Sequence, residues 1–194
     1  SYKNNSNEGR GLLAVSEKYL SDVYNTAYKV FDHKLDARYF ANISPEDDSY
    51  SSGYILKYVA SDIDIESITA NPYYATSYSA SSSVDRANWI FYRLTDVMLM
   101  QAEALIELGS TIDQVDDEGL VVSTELDDNL KHAFYLIWTV NRRSIMTTSV
   151  TSTHAQELKI NKFTSKDDMR TLCLKERQRE LMFEGKRWFD LLRQ

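Results

Sequence analysis

Glu176 and Glu180 lie one helical turn apart in the run K-E-R-Q-R-E-L-M-F-E-G-K-R-W-F-D-L-L-R, Lys175 to Arg193. Two carboxyls held roughly 5–9 Å apart can cleave a glycosidic bond, one as general acid and the other as nucleophile or base. That chemistry needs one acid with a raised pKa, whereas a neighbouring guanidinium lowers it. Arg177, Arg179, Arg187 and Arg93 are all available to keep these acids ionised and paired. Met169, Leu172, Leu181, Met182 and Phe183 recur at helical spacing, and Glu176, Arg179, Glu180, Glu184 and Arg187 share or border the same face. Burying charge is costly unless every group is paired. The expectation is therefore a structural ion-pair network of Arg93, Glu176, Arg179, Glu180, Glu184 and Arg187, with no catalytic residue. Arg179→Ala should then damage folding, by on the order of 3–5 kcal/mol, and not turnover.

Other side chains point to binding. Sugar C–H faces stack on aromatic rings, and tyrosine joins an apolar body to a polar tip. Of the 13 Tyr and 3 Trp, Tyr19, Tyr24 and Tyr28 fall on a helical stripe and read as core, as do Trp89 and Trp138. Tyr73, Tyr74 and Tyr78 sit instead in a Ser-rich stretch without apolar periodicity. Loops on a rigid scaffold commonly carry binding, so these three are the candidate glycan contacts, with ordinary loop packing as the alternative. Gln114 to Glu125 fits the twelve-residue calcium-loop spacing at Asp116, Glu118, Gly119 and Glu125. Its first position, normally Asp, is Gln114, which argues against a metal. Asp62, Asp64 and Glu66 alternate as a solvated strand face would. His33, His132 and His154 lack zinc spacing, and neither a phosphate loop nor a G-x-S-x-G turn occurs. No cofactor is implied.

The totals narrow the class. A chain of 194 residues with 43% hydrophobic and 26% charged residues can bury a core. Its net charge of −7 disfavours nucleic acid, which requires clustered Lys and Arg. The lone cysteine, Cys173, excludes an internal disulfide and sits between Leu172 and Leu174, as a small core residue would. No run of 18 apolar residues could span a bilayer. The chain opens on polar S-Y-K-N-N-S-N-E-G-R and closes at Gln194 directly after an amphipathic run. It reads as a piece of a longer protein whose preceding part would carry an export signal.

The elements that must position these residues follow from periodicity. Residues 12–43 read as helical, 44–88 as loop-rich with short strands near Tyr54–Ala60 and Ile63–Ile68, and 89–194 as paired helices, all within one domain over 1–194. Tyr92 to Leu108 predicts a helix stopped by Gly109, the residue type favoured just past a helix end. Asp127 or Asp128 can cap a helix running to about Arg143, and Ser165 with Asp168 suits a capping box. Gly185 marks a break, after which Trp188, Phe189, Leu191 and Leu192 begin another apolar face. The fold class is mainly α. Helices starting near Tyr92 and Ser165 allow a repeat-like array but do not define a clean period.

The final run, as E-R-x-R-E-L-x-x-E-G-x-R-W-x-D-L-x-R, resembles the signature of the SusD/RagB family. Four further segments are similar to that family's pattern in its order: V-F-D-H-K-L-D-A-R-Y (Val30–Tyr39), G-Y-I-L-K-Y (Gly53–Tyr58), R-L-T-D-V-M-L-M-Q-A-E-A-L (Arg93–Leu105) and T-V-N-R-R (Thr139–Arg143). The resemblance implies a tetratricopeptide-like α/α scaffold carrying a loop-rich region. It implies non-enzymatic binding of oligosaccharide at the outer membrane of Bacteroidetes-type bacteria, by a lipoprotein anchored through an N-terminal part not present here. It also implies delivery to a SusC-like TonB-dependent transporter. A tetratricopeptide-like module that binds protein partners is the alternative.

Overall fold

The computed structural model describes residues 30–31, 36–45, 53–55, 57, 61–63, 76–78, 90–145 and 157–193. The expected helical stripe from Leu12 to Tyr28, Tyr73, Tyr74 and Trp89 lie outside them. The chain divides into two compact units, residues 1–90 with 146–148, and 91–145 with 149–194.

In the first unit, helix α1 spans Ala37–Asn42 and begins on Asp36, whose side chain accepts from the Arg38 backbone N–H at 3.0 Å. The Arg38 guanidinium turns back onto the same carboxylate, Nη2 to Oδ2 at 2.6 Å. The D-x-R segment is thus a helix cap neutralised by its own third residue. Tyr39 is buried and meets Phe31 edge to face at 6.2 Å. Strand β1 (Ile43–Pro45) pairs antiparallel with β2 (Gly53–Ile55), and β3 (Ser61–Ile63) with β4 (Thr76–Tyr78). Pro45, which has no N–H, is confined to an edge, as a two-stranded sheet permits. Strands β2 and β3 begin slightly earlier than the alternation predicts, and β4 falls where a loop was expected.

The second unit is helical, and helix predominates among the described residues. Helices α2 (Leu94–Leu108), α3 (Asp128–Arg142) and α4 (Lys166–Glu180) pack mutually, and α5 (Arg187–Leu192) follows a turn. Leu99, Ala102 and Ile106 from α2 meet Leu130, Ala133, Phe134, Ile137 and Val140 from α3, with Met169, Leu172 and Cys173 from α4. These positions repeat every three or four residues, so each helix gives one stripe to a shared core. Each large aliphatic side chain so buried contributes about 1.5–3 kcal/mol. Ala102 and Ala133, both fully buried, let the helix axes approach closely.

The helix starts are those the sequence encodes. Asp127 Oδ1 caps α3 by accepting from Leu130 N–H at 2.9 Å. Ser165 and Asp168 form a reciprocal capping box on α4. One boundary falls where expected but for another reason, and one differs. Gly109 follows the end of α2 at Leu108, as expected, but with φ −78°, so it is not there for left-handed backbone. A Cβ on it would lie 2.7 Å from Leu130 Cγ and 2.8 Å from Cδ2; close packing against α3 demands the glycine. Helix α4 ends at Glu180, before Leu181, Met182 and Phe183. The chain then turns through Phe183 (φ 63°) and Gly185 (φ 74°). Left-handed backbone costs a bulky residue roughly 1–2 kcal/mol.

Gln114–Glu125 is not a helix-flanked calcium loop. It forms an exposed hairpin of β5 (Thr111–Val115) and β6 (Val121–Leu126), with an irregularity between Gln114 and Val115. Asp116 Oδ1 accepts from Glu118 N–H at 3.1 Å and Leu120 N–H at 2.8 Å, and Gly119 supplies φ 80°. The carboxylate that suggested a metal ligand organises the turn. Among the described residues no group of three metal-ligating side chains occurs.

Candidate functional site

The charged residues of α4 form two knots within the second unit. In the first, Arg93, just before α2, donates from Nη1 to Glu180 Oε1 and from Nη2 to the Glu180 carbonyl oxygen. It reaches Glu184 Oε1 from Nε at 3.1 Å and from Nη2 at 2.8 Å. Arg143, at the end of α3, donates to the same Glu180 oxygen. Glu176 Oε2 accepts from Arg179 Nη2 at 2.6 Å and from Asn141 Nδ2 at 3.1 Å. One acid cluster on α4 therefore clasps the start of α2 and the end of α3. The left-handed Phe183 belongs to this arrangement, because the turn it forms places Glu184 against Arg93. Burial pulls the Arg93 pKa down, but hydrogen bonds and charge from Glu184 and Glu180 outweigh it and hold the guanidinium above its ordinary value.

In the second knot, Arg177 sits between Asp96 of α2 at 3.3 Å and Asp190 of α5 at 2.9 Å. Lys186 Nζ contacts Asp96 Oδ2 at 2.5 Å and stands 4.3 Å from the Tyr92 ring centroid. Arg193 joins Asp190 Oδ1 at 2.9 Å to Glu103 at 3.0 Å. Helix α5 is thereby attached by charge: Asp190 is buried, while Trp188, Phe189, Leu191 and Leu192 are exposed. That reverses the expected apolar packing of the last helix.

The structure thus brings together Arg93, Glu176, Arg179, Glu180 and Glu184. Arg187 differs: its Nη1 donates to the Leu174 carbonyl oxygen at 3.3 Å, and it forms no ion pair among the described residues. Arg177, read from sequence as available to neutralise Glu176 and Glu180, pairs instead with Asp96 and Asp190; Asp96, Lys186 and Asp190 were not singled out from sequence as members of the lattice. Asp96 lies on the stripe shared by Leu99, Ala102 and Ile106, so an acid at apolar spacing was the available signal. Tyr78 ends β4, with its Cα opposite Ser61.

The geometry also bears on hydrolysis. An acid that protonates a leaving group must touch substrate, yet Glu176 is 0% and Glu180 2% exposed. Cys173 is equally unsuited to nucleophilic work. Burial, and next the charge of Glu103, push its thiol up to about 12, and its Sγ faces the Leu99 carbonyl oxygen at 3.7 Å.

The sequence profile described as the SusD family matches residues 2–194 of this chain. A SusD-like protein of Formosa agariphila is 33% identical over 113 residues, which cover 58% of this chain and 18% of that relative's length. No solved structure matches.

Proposed function

This chain belongs to the SusD family, and on that premise we propose that the protein binds oligosaccharide or polysaccharide at the bacterial cell surface for nutrient uptake. It passes the glycan to a SusC-like TonB-dependent outer-membrane transporter and performs no chemistry on it. The family match over residues 2–194 carries the reading. The sealed carboxylates of α4 support it, since they hold helices together and offer substrate no accessible acid pair. The helices serve as a tetratricopeptide-like scaffold, and the Ser-rich segment with Tyr73, Tyr74 and Tyr78 supplies ring faces for sugar. No described helix is long and apolar enough to cross a membrane; attachment to the outer membrane is through a lipid on the N-terminal part of the full-length protein.

Isothermal calorimetry of the full-length protein against a panel of polysaccharides and oligosaccharides tests this. Saturable heat with at least one glycan is expected, together with no release of reducing sugar. Failure to bind any glycan, with tight binding of peptides, would reject it. One observation favours that second reading, a protein-interaction module: the exposed Trp188, Phe189 and Leu192 of α5 are side chains suited to a protein contact.

A further inference from the structure

Helix α2 carries two apolar stripes where a surface helix needs one. Leu99, Ala102 and Ile106 face the core. On the opposite side Leu94, Val97, Gln101, Ala104 and Leu108 are exposed, with Leu94 and Leu108 at 74% and Val97 at 49%. A helix that is apolar all round belongs in an interior, so the outward stripe marks a second packing contact.

Its spacing identifies the kind of element that fits. From Leu94 to Leu108 the steps alternate between three and four residues, the heptad rhythm in which side chains of one helix enter the holes of another. A strand would present side chains at a period of two instead. Partly buried Met98 and Leu105 flank this seam on one side, and exposed Met100 and Glu107 on the other. Ala104 has no side chain beyond Cβ and permits close approach. Gln101 stands at the centre, and a single polar residue at such a position fixes register at a cost in stability.

No described helix is free to fill the seam. Helices α3 and α4 give their apolar stripes to the shared core, and α5, with 6 residues, is shorter than the two heptads required. Phe31, which closes the first apolar stripe of the sequence, is buried against Tyr39 within the first unit. Area disfavours a second copy. The 15 residues of α2 make a helix about 22 Å long, and a strip about 10 Å wide along it gives roughly 220 Å². A stable interface between separate chains takes about 800 Å² per partner. So small a contact holds when both helices belong to one polypeptide, where the effective concentration is high. Such chain exists in the matched SusD-like relative, of whose length the shared 113 residues are 18%.

We infer that the outward face of α2 seats a helix from the part of the full-length protein outside residues 1–194, packed along the heptad seam with Gln101 setting its register. The inference is independent of what the protein binds, so its failure leaves the glycan reading standing. Photo-leucine, a diazirine analogue close to leucine in size, tests it when incorporated into the full-length protein, irradiated and mapped by peptide mass spectrometry. Leu94 and Leu108 should each join, in a species of monomer mass, to peptides outside residues 1–194. The two joined sites should lie about two heptads apart on one segment. Val97→Cys supplies an independent reading. Its maleimide labelling in the native full-length protein should be at least tenfold slower than that of Ser123→Cys on the exposed hairpin, equally at high and low protein concentration. The inference is overturned by crosslinks from Leu94 and Leu108 that reach only residues 1–194, a second copy or a foreign protein. Joined sites on unrelated segments overturn it as well, as does less than tenfold protection of Val97→Cys or protection lost on dilution.

Discussion

Arg177 is the cation whose removal the second unit should tolerate least. Its side chain is 4% exposed and faces Asp96 and Asp190, themselves 1% and 2% exposed. Arg177→Met keeps much of the volume but leaves two buried acids short of a partner, which should cost about 3–5 kcal/mol. Arg193→Ala is the contrast. Its side chain is 46% exposed, and exposed pairs contribute roughly 0.2–1 kcal/mol. Chemical denaturation of both variants measures the difference, and equal losses would mean that burial does not rank these pairs. Cys173 gives a second test at this scale. With its thiol pushed up to about 12 and buried in the core, it should resist iodoacetamide at pH 8 in the native protein and react fully in denaturant. Rapid native alkylation would show that the core opens locally. The logic that identified Glu176 and Glu180, charge at apolar spacing, also applies to Asp96 and Arg177. Their partners were less legible because Asp190 and Lys186 lie beyond a left-handed turn that the helical period does not anticipate.

Helix ends were the most legible elements, because a cap is a local device. Ser165→Ala should destabilise by about 1 kcal/mol, read in the same denaturation experiment. The acid side of the caps sets a pH dependence. Hydrogen bonds from the Ser165 hydroxyl and the Thr164 N–H hold Asp168 below its ordinary pKa. For Asp127, burial pushes upward, yet the Leu130 and Ser110 N–H groups outweigh it and the net shift is downward. Arg170 lowers Glu107. Folded pKa values below the unfolded value of about 4 contribute stability that is present above that pH and lost as pH falls through the lower folded values. Melting temperature should therefore be flat above about pH 5 and fall below about pH 4, with a shallower fall in Ser165→Ala. Invariance down to pH 2.5 would contradict the assignment. Gly109→Ala tests a different cause: the added methyl meets Leu130 and should cost about 1–3 kcal/mol as overpacking. Were the glycine only a helix terminator, the substitution would be almost neutral at φ −78°. The β5–β6 hairpin was missed although T-I-D-Q-V and V-V-S-T-E-L flank a D-D-E-G turn. Its strands are exposed on both faces, so no apolar alternation marked them, and the calcium-loop spacing drew on the same acids.

At the scale of the whole molecule, charge separates the two readings of function. The net charge of −7 attracts a basic peptide through long-range forces that salt screens, with a Debye length near 10 Å at 0.1 M ionic strength and about 3 Å at 1 M. A neutral glycan is held by ring faces and hydroxyl hydrogen bonds, which carry no net charge to screen. If glycan capture is the activity, calorimetric affinity for a neutral polysaccharide should change less than about twofold between low salt and 1 M NaCl, since the Coulombic contribution is small. A protein-interaction module using this acidic surface should instead lose at least about tenfold for a basic partner over the same range, following the loss of electrostatic complementarity. The ion-pair lattice supplies the internal control. Its acids and Arg177 are buried and little screened, so far-UV circular dichroism should not change across the series. A glycan affinity that collapses with salt while helicity holds would transfer the argument from sugar faces to surface charge, and with it the choice between the two functions.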